Sequence, residues 1–299
     1  MIEFHPITAE DARWAVPVMQ KNSYLHCGFS FITQYMWSPF FNTHIAKFKD
    51  WVVIRSEVKG EFFYLWPVGE GPLNEAIDAC IEDAKAHGKK MKLFSISQEN
   101  KDILEELYPG EFEITCNRDD ADYIYEQADL AGLAGRRFQK KRNHVSRFIR
   151  ENPDWQFHLL KKEDLPKIRE FNDAWSQLDG NAENKGIQDE HACIEMLFEN
   201  FDKLDLRGGY ITAGGRIVAY SMGSVINSRV FDTNVEKGLY NVTGSYNIIN
   251  REMAAHVCAD FELINREDDV GDEGLRTAKL SYNPAIIEPK YLASKKAEC

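Results

Sequence analysis

GYITAGGRIVAYSMGSVINSRVFDTNV, residues 209–235, reads as three strands in succession. Gly209–Ala213, Arg216–Val225 and Arg229–Val235 are apolar runs rich in β-branched and aromatic side chains, the types that pack on a pleated surface. Gly214-Gly215 and Asn227-Ser228 divide them, and both pairs suit tight turns. Outward from this unit the period changes. Upstream lie a strand at Trp155–Lys161 and helical patterns over Glu163–Leu178 and Asp189–Leu204. Downstream the spacing predicts a helix from Gly244 to Cys258, strand Phe261–Asn265, helix Glu273–Lys279 and strand Ala285–Tyr291.

The first half gives the same order. A short strand near Ile2 precedes a helix after Thr8, whose first turn, Ala9-Glu10-Asp11, is acidic. An aromatic helical stretch, Phe29–Trp37, stops at Pro39. Strands follow at His44–Lys47, Trp51–Val58 and Glu61–Val68, the last two joined at Lys59-Gly60. Helix Pro72–His87 ends at Gly88, Met91–Ile96 is a strand, Gln98–Tyr108 a helix and Phe112–Cys116 a strand. Both halves read β-α-α-β-β-β-α-β-α-β, offset by roughly 170 residues. This predicts an α/β (α+β) chain of two tandem domains, each a mixed central sheet flanked by helices. The expected division is 1–130, a basic connecting helix over 131–151, and a second domain over 152–299 that carries the working chemistry.

A length of 299 residues suits two domains with their own cores. No run approaches the about 18 apolar residues that a membrane span needs. The start, Met1-Ile2-Glu3-Phe4-His5, has no secretory pattern, so cytoplasmic residence is expected. Six dispersed cysteines without a C-x-x-C point to reduced thiols, with Cys80 and Cys258 as small core residues. Eight histidines show no H-x-x-x-H pairing, and no metal is expected. The net charge of −12 argues against indiscriminate nucleic-acid binding.

The basic residues are nonetheless concentrated. Arg136–Arg150 holds seven Lys or Arg and no acid. At about 100° per residue, Arg136, Lys140, Asn143, Arg147 and Arg150 share one line, opposite Phe138, Val145 and Ile149. Lys141 and Arg142 add to the charge. A solvated face explains such a run, but like charges one turn apart repel. An anionic partner carrying phosphate, such as tRNA, explains it equally.

A second cluster follows strand Phe261–Asn265, past the strand end where open α/β sheets bind ligands. Asn265 and Arg266 lead into three successive carboxylates, Glu267, Asp268 and Asp269. Mutual repulsion raises carboxylate pKa values, so this trio suits binding a cation or deprotonating an amine. Asp272 and Glu273 read as helix-start acids. Asp232 and Glu236 face alike on their strand, as site residues or as a sheet-surface pair.

The stretch Gly274-Leu275-(x3)-Lys279-(x2)-Tyr282-x-Pro284, with Lys290-Tyr291-Leu292-Ala293, resembles the C-terminal synthase domain of bacterial phosphatidylglycerol lysyltransferases. Asp122-Tyr123-x-Tyr125, Gly135-(x5)-Lys141-Arg142-Asn143 and Asn265-Arg266-Glu267-x-Asp269-x-Gly271 are similar to a soluble family grouped with that domain. The resemblance implies two tandem GCN5-related acetyltransferase-like domains. It also implies an aminoacyl group moved from aminoacyl-tRNA to a lipid headgroup, peptide or small amine. It points to Lys279 near the reacting ester, as stabiliser of the oxyanion or as an ion-pair partner of Glu273. Tyr282 and Tyr291 would orient substrate or donate a proton.

The rival cofactor is coenzyme A, whose pyrophosphate needs a glycine-rich loop of free N–H groups. Trp66-Pro67-Val68-Gly69-Glu70-Gly71 sets an acid between its glycines, and the glycines of Lys237–Ser245 are too widely spaced. Gly244-Ser245 at the helix start suits a single phosphate. The reading is therefore an aminoacyl- or acyl-transferase. An acyl-coenzyme A N-acyltransferase and a non-catalytic RNA- or anion-binding tandem are the alternatives.

Overall fold

A computed structural model describes residues 2–297; Cys299, one of the six cysteines, lies outside the described residues. The first strands are β1 (His5–Pro6), β2 (His44–Phe48), β3 (Trp51–Val58), β4 (Glu61–Leu65), β5 (Val68–Gly69), β6 (Met91–Ile96) and β7 (Phe112–Cys116). Then come β8 (Asp122–Glu126), β9 (Gln156–Leu159), β10 (Arg207–Ala213), β11 (Arg216–Asn227) and β12 (Val230–Gly238). The last are β13 (Leu263–Asn265), β14 (Ile286–Glu288) and β15 (Tyr291–Lys295). Among the described residues they form two mixed sheets. The order is β1-β2-β3-β4-β6-β15-β7, with β5 on β3, in one, and β14-β8-β13-β12-β11-β10-β9 in the other.

Residues 209–235 form the expected three-stranded unit. Gly214 and Gly215 have φ of +58° and +72°, the left-handed pair that a two-residue hairpin requires and glycine supplies. Each sheet contains one short parallel ladder. Phe62–Leu65 of β4 pairs with Met91–Phe94 of β6, and Val230–Asp232 of β12 with Leu263–Asn265 of β13. The ladders stop there while β12 continues to Gly238, so each sheet is split at its centre. That split is the acetyltransferase-like feature, and the tandem of two such units is the observed fold.

The strands cross the expected 1–130 and 152–299 partition. β8 lies in the second sheet between β13 and β14, and β15 lies in the first between β6 and β7. The expected single strand Ala285–Tyr291 is two strands in different sheets, interrupted at Pro289-Lys290, because proline brings no N–H to a ladder. Packing follows the exchange. The larger core runs from Ile2 and Phe29 through Ile124 to Tyr220 and Leu263, across both halves.

The basic helix, Gln139–Glu151, caps the smaller core. It buries Val145 and Phe148, as the turn before it buries Phe138, whereas Ile149, expected inside, is 36% exposed. The docking face is rotated because the Lys141 ammonium sits 3.7 Å from the centre of the Tyr282 ring. Among the described residues no helix is long and apolar enough to cross a membrane.

Candidate active site at the junction of the two sheets

The exchanged strands bring distant residues together. Asp122 opens β8, Lys290 stands between β14 and β15, and Asp232 and Asn265 face each other at the last parallel pair. Cys27 opens a short turn ahead of the helix Phe31–Met36, which carries Thr33. The Lys290 ammonium lies 2.7 Å from Asp122 Oδ1 and 3.0 Å from Asp268 Oδ2. Asp122 Oδ2 accepts from the Cys27 amide at 2.8 Å and from Asn265 Nδ2 at 2.9 Å. Behind them Asp232 Oδ2 accepts from Thr33 Oγ1 at 3.1 Å and Asn234 Nδ2 at 2.9 Å. Asp232 Oδ1 is buried without a partner.

Burial and charge divide these groups. Burial alone would raise the Asp122 carboxyl, but Lys290 and then His26 outweigh it and hold the pKa below the usual carboxylate range. Burial would likewise lower Lys290, yet Asp122, Cys27 and Asp268 push its pKa well up, so it stays cationic. Asp232 is pushed up to about 7 by burial and by the Asp122 charge. Burial and Asp232 drive Glu267 the same way. Asp232 and the adjoining Glu267 thus both hold their protons more tightly than ordinary carboxyls.

A cavity of about 470 Å³ opens beside this cluster. Trp37, Phe63, Phe94 and Leu292 give it an apolar wall; Thr33, Cys27, Asp120, Asp268 and Lys290 supply its polar groups. That composition matches ligand sites, which are largely apolar with a few convergent polar groups.

The expected residues separate into several groups. Asp268 borders the cavity and Asp232 and Glu267 lie beneath it. Lys279 does not line it. At 8% exposure, its ammonium donates to the Arg266 carbonyl at 2.6 Å and to the Asp268 carbonyl. Those bonds bracket Glu267, whose φ is +58°, a strained value for a residue with a Cβ. Lys279 therefore positions the acid loop, and no Glu273 ion pair forms; Glu273 meets Arg276 at 3.3 Å. Asp269 points away: it accepts from Arg276 Nε and Nη2 at 2.8 and 2.7 Å and from Tyr123 at 2.5 Å. Hydrogen bonds from Arg276 hold its pKa far down, which excludes it as a base. Arg266 pairs with Glu236 at 2.7 Å and lies over the Tyr125 and Tyr282 rings. These groups fill the split of the second sheet. Tyr282 accepts from Asn247 at 2.7 Å, and Tyr291 turns outward to Gln98 at 2.8 Å.

On the basic helix Lys140, Asn143, Arg147 and Arg150 are exposed as expected, and so is Arg136, which lies in the turn Arg136–Phe138 ahead of the helix rather than on it. Arg147 pairs with Glu151 at 2.7 Å, and Arg142 caps the Gly135 carbonyl at 2.6 Å. Lys141 has its pKa lowered to about 8 by burial and by Arg266. The phosphate reading of Gly244 and Ser245 meets an occupied helix start. A Cβ on Gly244 would stand 2.7 Å from the His144 carbonyl, and the buried Ser245 hydroxyl donates to Leu239 O at 2.9 Å.

Coenzyme A fits neither split. In the first sheet Glu70 lies in the loop, whose Gly69 presses on the Asp50 backbone; in the second, the Arg266–Glu236 pair occupies the space. Asp173, His191 and Glu195 bring metal-type donor atoms within 4.8 Å. Within the group His191 meets Asp173 at 2.8 Å and Glu195 Oε2 meets Arg169 at 2.6 Å, while Glu195 Oε1 is buried without a partner.

Sequence reasoning missed Asp122 and Cys27 as site residues and passed over Lys290. The usable signal was Pro289, which breaks the last strand and sets Lys290 at the crossing.

A family model described as phosphatidylglycerol lysyltransferase, C-terminal, matches residues 23–294. The crystal structure of a conserved protein of unknown function from Bacteroides thetaiotaomicron has a TM-score of 0.95 at 33% identity, covering 99% of this chain and 100% of that one. The C-terminal domain of a putative lysylphosphatidylglycerol synthetase from Agrobacterium fabrum has a TM-score of 0.71 at 14% identity, covering 97% and 93%. L-PGS from Bacillus licheniformis has a TM-score of 0.60 at 16% identity, covering 84% and 82%. These two share the fold. An uncharacterised protein from Mycoplasmoides gallisepticum is 25% identical over 172 residues, 57% of this chain, and the chain spans about half (54%) of that relative's length. With the split sheets and this match, the chain belongs to the phosphatidylglycerol lysyltransferase C-terminal family, a family of acyltransferase type.

Proposed function

We propose that the chain transfers an aminoacyl group from an aminoacyl-tRNA ester to an amine or hydroxyl acceptor in the junction cavity. The observation that carries this reading is the juxtaposition of a permanent cation, Lys290, with a proton acceptor of pKa about 7, Asp232, reached through Thr33. Attack of the acceptor on the ester carbonyl builds negative charge on its oxygen, which a fixed ammonium stabilises. The acceptor's proton passes to Asp232 by way of the Thr33 hydroxyl, and as the ester C–O bond breaks Asp232 returns that proton through Thr33 to the ribose oxygen, which leaves as a hydroxyl. Asp120 and Asp268 suit the ammonium of an aminoacyl group. The exposed cations Arg136, Lys140 and Arg150 suit the phosphates of the donor. Lys290, rather than Lys279, takes the oxyanion role here.

The test is transfer of radiolabelled amino acid from charged total tRNA to a panel of phosphatidylglycerol vesicles, small amines and peptides. Asp232→Asn keeps the shape and removes the base, and it should lower the rate roughly 10²-fold. In the wild-type protein the rate should climb as pH rises through about 7, because only the ionised carboxylate accepts the proton. No transfer to any acceptor, or full activity in Asp232→Asn, sinks the mechanism.

A further inference from the structure

Two helices of the second half, Leu165–Ser176 and Lys185–Glu199, pack against each other across the short connection 177–184. Each turns a pair of side chains one turn apart toward the other, Arg169 and Asp173 from the first, His191 and Glu195 from the second. Arg169 Nε donates to Glu195 Oε2 at 2.6 Å, and His191 Nε2 meets Asp173 Oδ1 at 2.8 Å. Arg169 is itself anchored, its guanidinium 5.7 Å from the centre of the Phe198 ring. None of the four lines the junction cavity.

These contacts leave the group incomplete. One donor atom from each of Asp173, His191 and Glu195 lies within 4.8 Å of the others, so two carboxylates stand together with Arg169 as the permanent cation paired to them. Glu195 Oε1 is buried and has no donor, although buried acceptors are normally satisfied. Arg169 is committed to Oε2. A water would fill the gap but leave the carboxylates facing each other; a cation answers both the orphan oxygen and the repulsion. The donor set says which cation. Calcium and magnesium take oxygen ligands, whereas an imidazole with two carboxylates suits zinc and its neighbours in the transition series. His191 and Glu195, four apart on one helix, reach the same ion, and Asp173 closes on it from the facing helix. Asp173 is exposed and the other two half-buried, so the ion enters past Asp173 and keeps water at its remaining position.

We propose that Asp173, His191 and Glu195 form a binding site for one divalent transition-metal ion of zinc type. Asp173 Oδ1, His191 Nε2 and Glu195 Oε1 are its ligands, and any proton held between His191 and Asp173 leaves as the ion enters. Zinc keeps such ligands at about 2.0–2.2 Å, which sets them about 3.4 Å apart in a tetrahedron. The His191–Asp173 contact therefore opens slightly and Glu195 closes in, by side-chain rotation. The ion clamps the helix pair. Because Lys185–Glu199 also packs on Phe31–Met36, the clamp braces the segment that carries Thr33 without entering the transfer chemistry.

Calorimetric titration of the untagged, chelator-stripped full chain with zinc chloride, checked by competition with a chromophoric zinc chelator, tests it. A single zinc ion should bind at micromolar or lower concentration, and millimolar magnesium or calcium should not displace it. His191→Ala and Glu195→Gln should each weaken binding at least about tenfold, since loss of even an outer-shell partner has that effect. Zinc should raise the thermal midpoint of the wild-type chain but not of these variants. Asp173→Asn, on the exposed side, provides a third variant if the others do not fold. Absence of saturable zinc binding overturns the proposal. So does equal affinity in the folded variants, which would place the ion elsewhere, at the exposed Cys116 for instance, or a preference for magnesium or calcium.

Discussion

Lys290→Met removes the ammonium while keeping an unbranched stem. In the wild-type protein this nitrogen lies 2.7 Å from the fully buried Asp122. Removing one partner of a buried ion pair costs about 3–5 kcal/mol, because the other charge stays behind unpaired. Two features set the cost here near the lower figure. The Cys27 and Asn265 amides still donate to Asp122, and Lys290 borders a cavity that admits water. The expected loss is therefore about 3 kcal/mol at pH 7, a large share of the usual 5–15 kcal/mol. Urea unfolding measures it as a lowered midpoint at constant slope. The pH dependence has a definite sign. With lysine present Asp122 is held below its unfolded value of about 3.9, so its contribution is complete above that pH and fades as pH falls. Without lysine the folded carboxyl rises above that value. The variant is then penalised most at neutral pH and regains ground on the wild-type protein as the medium is acidified. Lys290→Met/Asp122→Asn removes both charges and should recover most of the loss. A deficit below about 1 kcal/mol, flat with pH and unchanged in the double variant, refutes the argument.

Other consequences are open to direct measurement. Arg276→Ala strands the buried Asp269 carboxylate and should destabilise the chain by about 3 kcal/mol in urea unfolding. Because Asp269 is depressed, that difference should be full above about pH 4 and shrink on acidification. Gly244→Ala, at φ +83° with a Cβ 2.7 Å from the His144 carbonyl, should lower stability by about 1–3 kcal/mol in a thermal melt, by loosening the basic helix. Reversing Arg136, Lys140 and Arg150 to Glu should weaken tRNA retention on filters and flatten its salt dependence by about two to three units of log–log slope. Arg147→Glu should do less, since Glu151 already offsets that charge.

The legible parts were those whose signals are local. The 209–235 unit has turn glycines between apolar runs, and Met91–Ile96 and Phe112–Cys116 are strands with the expected bounds. The basic helix was legible as a helix, but not its exact docking face, because Lys141 lies on Tyr282 and turns Phe148 inward. Asp122–Glu126 was read only as a motif. Its charged ends disguise a central strand whose buried side chains satisfy partners elsewhere, Asp122 on Lys290 and Tyr123 on Asp269.

The larger omission has a single physical origin. Reading the chain as two repeats assumes that each half closes its own sheet, so a site is sought within one half. Here β8 and β15 each complete the opposite sheet, and the chain must cross twice between them. Each crossing deposits a charged residue at the junction, Asp122 at the first and Lys290 at the second. Those charges lie 168 positions apart in sequence, and neither shows any local pattern that announces the other. They are buried because the sheets meet there, and buried opposite charges persist only in a geometry that pairs them. The acid loop 266–269 was visible because it is contiguous; which of its acids is usable was not. That depends on Lys279 fixing the carbonyls around Glu267 while Arg276 removes Asp269 from reach. The strand exchange thus decides both where the cavity opens and which carboxyls have their pKa values raised.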